Sequence, residues 1–282
     1  MSTEAGNEAP TTDETIAAMR EVIEAWHADR PRAHLSKSAD TLYGPVLFSH
    51  VAHVHRLAEG VLTLQAADQF LAAMPLVRQM IEFTLRAVWL TIYHENLPAM
   101  VREDERQRTN ALRQAAKNGQ IPTDDPALLQ SIDWLDGNRQ VQGVTSGQKF
   151  FMICEEVPGG ESVYTHYRMA SNYTHHGSML FEEYISIKPT TDGKVAISFN
   201  TRPELVTERA WLNMVAYLLI LAGITWDNVD RVHLHRELLR RLAVRYEVPT
   251  RPFDMNNVGY IRWNQAGKAR DRAARDARRK KP

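Results

Sequence analysis

The sequence predicts a mainly α-helical bundle carrying one small β-hairpin insertion. Three observations predict it. Apolar residues recur at intervals of three and four over most of the chain; only two short segments, 184–188 and 195–199, alternate apolar with polar residues; and helix-starting and helix-breaking residues punctuate the periodic stretches. With 282 residues and 44% hydrophobic content, the chain can bury a full core in one body. The expected organisation is an acidic leader over 1–12, a helical domain over 13–246 with the hairpin at about 184–199, and an extended segment with a basic tail over 247–282.

The leader is polar and acidic, and nothing in it repays the entropy of ordering, so it is expected to be disordered. Thr11 and Glu14 have capping-box spacing, and Ile16, Met19, Val22, Ile23 and Trp26 form the stripe of a first helix that ends before Pro31. Pro45 suits the first turn of a second helix, in which Leu47, Val51, Val54, Leu57, Val61 and Leu64 keep one face. A third, more hydrophobic helix is expected from near Pro75, with Leu76, Met80, Ile81, Leu85, Val88, Trp89 and Ile92 leaving a narrow polar strip. Pro98 opens a charged helix that Gly119 can close, and the run from Arg102 to Arg108 reads as a solvated surface. A short helix near 126–135 and another over 149–156 follow, with a hinge or insertion in the stretch 120–147. Pro158, Gly159 and Gly160 break the chain before the segment 161–183. The hairpin turns around Asp192 and Gly193. Pro203 starts a long apolar helix that Gly223 can end, and 226–246 makes a final amphipathic helix. The tail, 268–281, carries eight basic and two acidic residues without an apolar face.

The formal net charge is zero, so no whole-molecule field draws the chain to nucleic acid or an acidic membrane. Cys154 is the single cysteine, which excludes an intramolecular disulfide and suits a reducing compartment. The first residues lack the basic and apolar regions of a signal peptide, and the longest apolar run, from Met214 to Ile224, is too short to span a bilayer. A soluble cytoplasmic protein without membrane contact is therefore expected.

Most of the chemical interest lies in YTHYRMASNYTHHG. Its Tyr164, Arg168, Ser171, Asn172 and His175 fall at helical intervals and share one face, on an expected helix that runs unbroken from about Val163 through His175. Arg168 and His175 are two turns apart, roughly 10 Å along the axis. A guanidinium and an imidazole so placed can bracket one phosphodiester: His175 takes the proton of a ribose 2′-hydroxyl or gives one to the leaving oxygen, and Arg168 neutralises charge on the phosphorane. This chemistry requires no metal and no cofactor. Arg20 and His27 share the spacing on the first helix.

Arg78, Glu82 and Arg86 stand four apart in the most hydrophobic helix, where charge is rare unless paired. They form either an ion-pair ladder or a functional set in which Glu82 orients Arg168 or His175. His50, His53, His55, His233 and His235 complete no recognisable metal motif, and Cys154 reads as a small buried hydrophobe. No Walker loop, dinucleotide fingerprint or serine elbow is present in the sequence.

The stretch MPLVRQMIEFTLRAVWL, followed much later by YTHYRMASNYTHHG, resembles an uncharacterised family of helical bacterial proteins, with an Arg-x3-Glu helix and a later Ser-x3-His helix. The resemblance runs over roughly residues 45 to 180. The second stretch also resembles the Arg-x4-6-His motif of HEPN-type ribonucleases, helical toxins and antiphage-defence effectors that commonly build their site across a homodimer. The resemblance implies a metal-independent endoribonuclease with Arg168 and His175 catalytic, Glu82, Tyr164, Ser171 and Asn172 supporting, RNA as substrate and a second copy as partner. A non-catalytic helical interaction module of the same family, and a nucleic-acid binder relying on the basic tail, are the alternatives.

Overall fold

The computed structural model describes residues 9–28, 43–93, 97–138, 149–175, 177–189 and 194–250. Within them the chain is a helical bundle with a two-stranded hairpin: α1 (Thr12–Ala28), α2 (Tyr43–Ala66), α3 (Phe70–Ile92), α4 (Leu97–Lys117), α5 (Pro126–Gly137), α6 (Phe150–Glu156), α7 (Gly160–Thr174), α8 (Ser178–Tyr184), β1 (Ile185–Pro189), β2 (Val195–Phe199), α9 (Glu208–Asp227) and α10 (Arg236–Arg245). Most of the expected leader, most of the extended segment with its tail, and the hairpin turn at Asp192 and Gly193 lie outside the described residues.

Sequence spacing accounts for most of these boundaries. The capping box forms at α1, where the Thr11 N–H donates to the Glu14 carboxylate at 2.7 Å and the Glu14 N–H to the Thr11 hydroxyl at 3.2 Å. The stripe Leu47, Val51, Val54, Leu57 and Val61 buries one side of α2. Gly119 closes α4 in a Schellman pattern, its N–H on the Ala116 carbonyl and that of Gln120 on Ala115. Asp125 caps α5 by accepting from the N–H groups of Ala127 and Leu128.

Five boundaries or environments differ from expectation. The long apolar helix starts at Glu208, not Pro203, and runs through Gly223 to Asp227, and the final amphipathic helix is confined to Arg236–Arg245 instead of 226–246. Helix α3 starts at Phe70, not near Pro75, because Phe70, Leu71 and Met74 continue its buried face. Pro75 itself is exposed, so the bond its missing N–H cannot donate is lost on the solvent side. On α4 the charged run is not uniformly solvated: Glu103 is buried and accepts two bonds from Arg106, at 2.6 and 2.8 Å, which compensate its desolvation. Helix α7 stops at Thr174, one residue before His175.

The core is built on α9. Its 20 residues are long and apolar enough, by length and composition, to cross a membrane, yet most are buried against α1, α2, α3 and α10. Helices α2 and α3 pack as a pair beside it, and α7 lies across α3 with α6 beneath its start. The strands pair antiparallel with Ile187 opposite Ile197, and β1 continues directly from the end of α8. The structure thus presents α7 with one side against α3 and the other side open.

Candidate functional site

The polar strip of α3 is where two helices are joined. Arg78, Glu82 and Arg86 are each half-buried. Glu82 accepts from Arg86 one turn on, at 3.1 and 3.3 Å, so the carboxylate is neutralised within its own helix. Arg78 instead reaches across to α7: its Nε donates to the Ser171 hydroxyl at 3.1 Å, Nη2 donates to the Tyr167 hydroxyl, and the guanidinium lies over the Tyr167 ring 4.6 Å from its centroid. The Ser171 hydroxyl in turn donates a hydrogen bond to the Tyr167 carbonyl at 2.8 Å. The expected ladder is therefore half formed, with its first arginine serving as the bridge between helices.

Around the bridge the packing is aromatic. Phe150 of α6 meets Tyr167 at 4.5 Å between centroids, and Tyr164 stacks on Tyr167 at 5.8 Å. Burial, and then Glu82, raise the Tyr167 phenol above its ordinary range, with Arg78 opposing. Cys154 beneath them is pushed up to about 12, chiefly by burial, so its thiol stays protonated. Gly160 opens α7 where no larger residue fits: a Cβ there would stand 2.2 Å from the Cys154 carbonyl oxygen.

The other side of α7 is open. Arg168 and Asn172 are exposed, and neither side chain makes a hydrogen bond or ion pair among the described residues. His175 is the helix C-cap in an extended conformation, exposed, with its N–H on the Ser171 carbonyl at 3.0 Å and its ring unpartnered among the described residues. The chain then reverses at Gly177, whose N–H donates to the His175 carbonyl at 2.7 Å. A Cβ on Gly177 would lie 2.8 Å from the Asn172 carbonyl oxygen, so the tight reversal that follows His175 depends on glycine.

The six residues singled out from sequence are thereby divided. Arg168 and Asn172 are exposed on the open side of α7, and His175 is exposed just past its end. Tyr164 and Ser171 turn toward α3 and α6, and Glu82 is engaged by Arg86 with no bond to Arg168 or His175. Sequence reasoning missed Tyr167 and the bridging role of Arg78. The signal was available: Tyr167 and Ser171 repeat the four-residue spacing of Arg78 and Glu82, as two facing strips would.

The histidines of α2 have structural partners. The rings of His50 and His55 donate to the carbonyls of Val46 and Val51, both at 2.8 Å, and His55 stacks on Trp26 at 4.2 Å. Burial lowers both imidazoles, that of His55 to about 4. His53 packs edge-on against Phe83 at 4.6 Å.

The model of a family of unknown function, DUF5677, matches residues 45–194, more than half of the chain. The chain belongs to this family. The matched span covers α3 to α8, most of α2, and β1, and so contains both halves of the Arg78 bridge together with Arg168 and His175. Helices α1, α9 and α10 lie outside it, although α9 supplies the centre of the core. No curated protein and no solved structure matches the chain.

Proposed function

We propose that this chain is a HEPN-like, metal-independent RNA endonuclease, a toxin or antiphage-defence effector that works in the cytoplasm as a homodimer, with Arg168 and His175 as its catalytic pair. One observation carries the reading. Arg168 and His175 are seven residues apart, both exposed, and free of side-chain polar partners among the described residues, while the opposite side of α7 is held to α3 by Arg78. An exposed cation on a helix held in place, with an exposed imidazole at the end of that helix, is what a phosphodiester must meet.

In this reaction the His175 imidazole accepts the proton of the ribose 2′-hydroxyl, and the 2′ oxygen attacks phosphorus. Arg168 donates to the equatorial oxygens of the phosphorane as their charge grows. The bond from phosphorus to the 5′ oxygen breaks, and the proton taken from the 2′-hydroxyl is delivered to that leaving oxygen. The products are a 2′,3′-cyclic phosphate and a 5′-hydroxyl end.

A second reading, a non-catalytic interaction module, is favoured by one specific fact: Tyr164 and Ser171 of the expected face belong to internal packing. Growth separates the two. Expression of the wild type should arrest growth and expression of His175→Ala should not; equal effects of the two chains support the interaction module.

A further inference from the structure

The hairpin has a side that nothing among the described residues covers. Its pairing sets Ile185 opposite Phe199, Ile187 opposite Ile197 and Pro189 opposite Val195. Strand side chains alternate between faces, so these six residues, all apolar, share one face, and the other face carries Ser186, Lys188, Ala196 and Ser198. The apolar face should be the one that packs on the protein. Instead Ile187, Val195, Ile197 and Phe199 are 56, 63, 58 and 76% exposed. Helix α8, which leads directly into β1, buries no residue either.

A two-stranded hairpin is marginal alone and gains independent stability only when a face is packed. We propose that the apolar face of the hairpin packs face to face against the same face of a second copy of this chain. A second copy fits for two reasons. The face holds no charged side chain, so a two-fold arrangement sets like against like without burying an unpaired charge. The exposed parts of its residues amount to roughly 500 Å², as large as patches on monomers become. Two such faces together remove roughly 1,000 Å² from water, about the least that a specific interface needs. Phe181 and Tyr184 of α8, 50 and 42% exposed next to the hairpin in sequence, can enlarge it.

The inference rests on the homodimer of the proposed function and names which surface pairs; the catalytic part of that reading is tested by RNA cleavage, so the two can fail separately. The full chain is sedimented at roughly 100 μM, well above the micromolar dissociation constants that small interfaces support. The wild type should run as a dimer. Ile197→Glu and Ile187→Glu should each halve the mass while keeping the helical circular dichroism, because both side chains are exposed within one chain. Lys188→Glu, on the polar face, should remain dimeric. Should the glutamate variants lose helicity, Ile197→Cys replaces them: oxidation should join two chains covalently through this position, since the native Cys154 is buried. A monomeric wild type overturns the proposal, whatever other segment or protein then covers the hairpin. A dimer that survives both glutamate substitutions, or Ile197→Cys chains that crosslink no more than wild type, overturns it as well.

Discussion

Arg78 Nε on α3 donates to the Ser171 hydroxyl on α7 across 3.1 Å, two side chains 93 residues apart in sequence. This contact joins the Arg-x3-Glu helix to the Ser-x3-His helix and fixes which side of α7 remains open. Ser171→Ala should cost about 1 to 2 kcal/mol by leaving a half-buried guanidinium N–H unpaired, and Arg78→Ala about 2 to 3 by also removing the Tyr167 contact. In chemical denaturation a double-mutant cycle of the two should give a coupling of about 1 kcal/mol. Additive effects would mean that the bond contributes nothing.

At the start of α7, Gly160→Ala should destabilise the fold by about 2 kcal/mol or more, since the atom met is a backbone oxygen that cannot rotate away. Gly137→Ala on α5, where a Cβ meets nothing within 4 Å, should change stability by less than about 0.5 kcal/mol. Equal melting temperatures for the two variants would contradict the close approach of α6 and α7.

His55 gives the stability a pH dependence. Its folded value of about 4 lies below the ordinary imidazole value of 6.5, so the unfolded chain binds the extra proton first. Stability linked to His55 is complete above pH 6.5 and is lost as pH falls toward 4, to a total of about 3 kcal/mol. His55→Phe removes the titrating group, so the wild type should lose about that much more stability than the variant between these pH values. Parallel curves would show that His55 is not buried in its neutral form.

Cys154 should be inert in the native state. Buried, and with its thiol pushed up to about 12, it should resist a thiol reagent at pH 8 and react fully once denaturant is added. Rapid labelling of the folded chain would be inconsistent with the packing of α6 beneath α7.

The helices were legible because each carries its own period and its own punctuation: Thr11 with Glu14, Gly119, and Pro126 behind Asp125 all act within a few residues of where they stand. The start of α3 was not, because Pro75 is a breaker only where its missing bond matters, and that depends on which side of the helix meets solvent. At the site, the exposure of Arg168 followed from spacing, whereas the same spacing wrongly carried the helix through His175. The bridge did not follow from it, because whether Arg78 turns to Glu82 or to Ser171 is decided by where α7 packs, and no spacing along one helix contains that. The break at His175 was hidden for the same kind of reason: the reversal depends on Gly177 closing against Asn172 through backbone contacts that leave no periodic trace.

The most direct test of the central claim is cleavage of single-stranded RNA by the purified chain in the presence of EDTA. The wild type should cut it, leaving 2′,3′-cyclic phosphate ends. His175→Ala should slow cleavage by about 100-fold or more, with stability changed by less than about 0.5 kcal/mol because the side chain is exposed. No cleavage by the wild type, or cleavage undiminished in His175→Ala, would contradict the account.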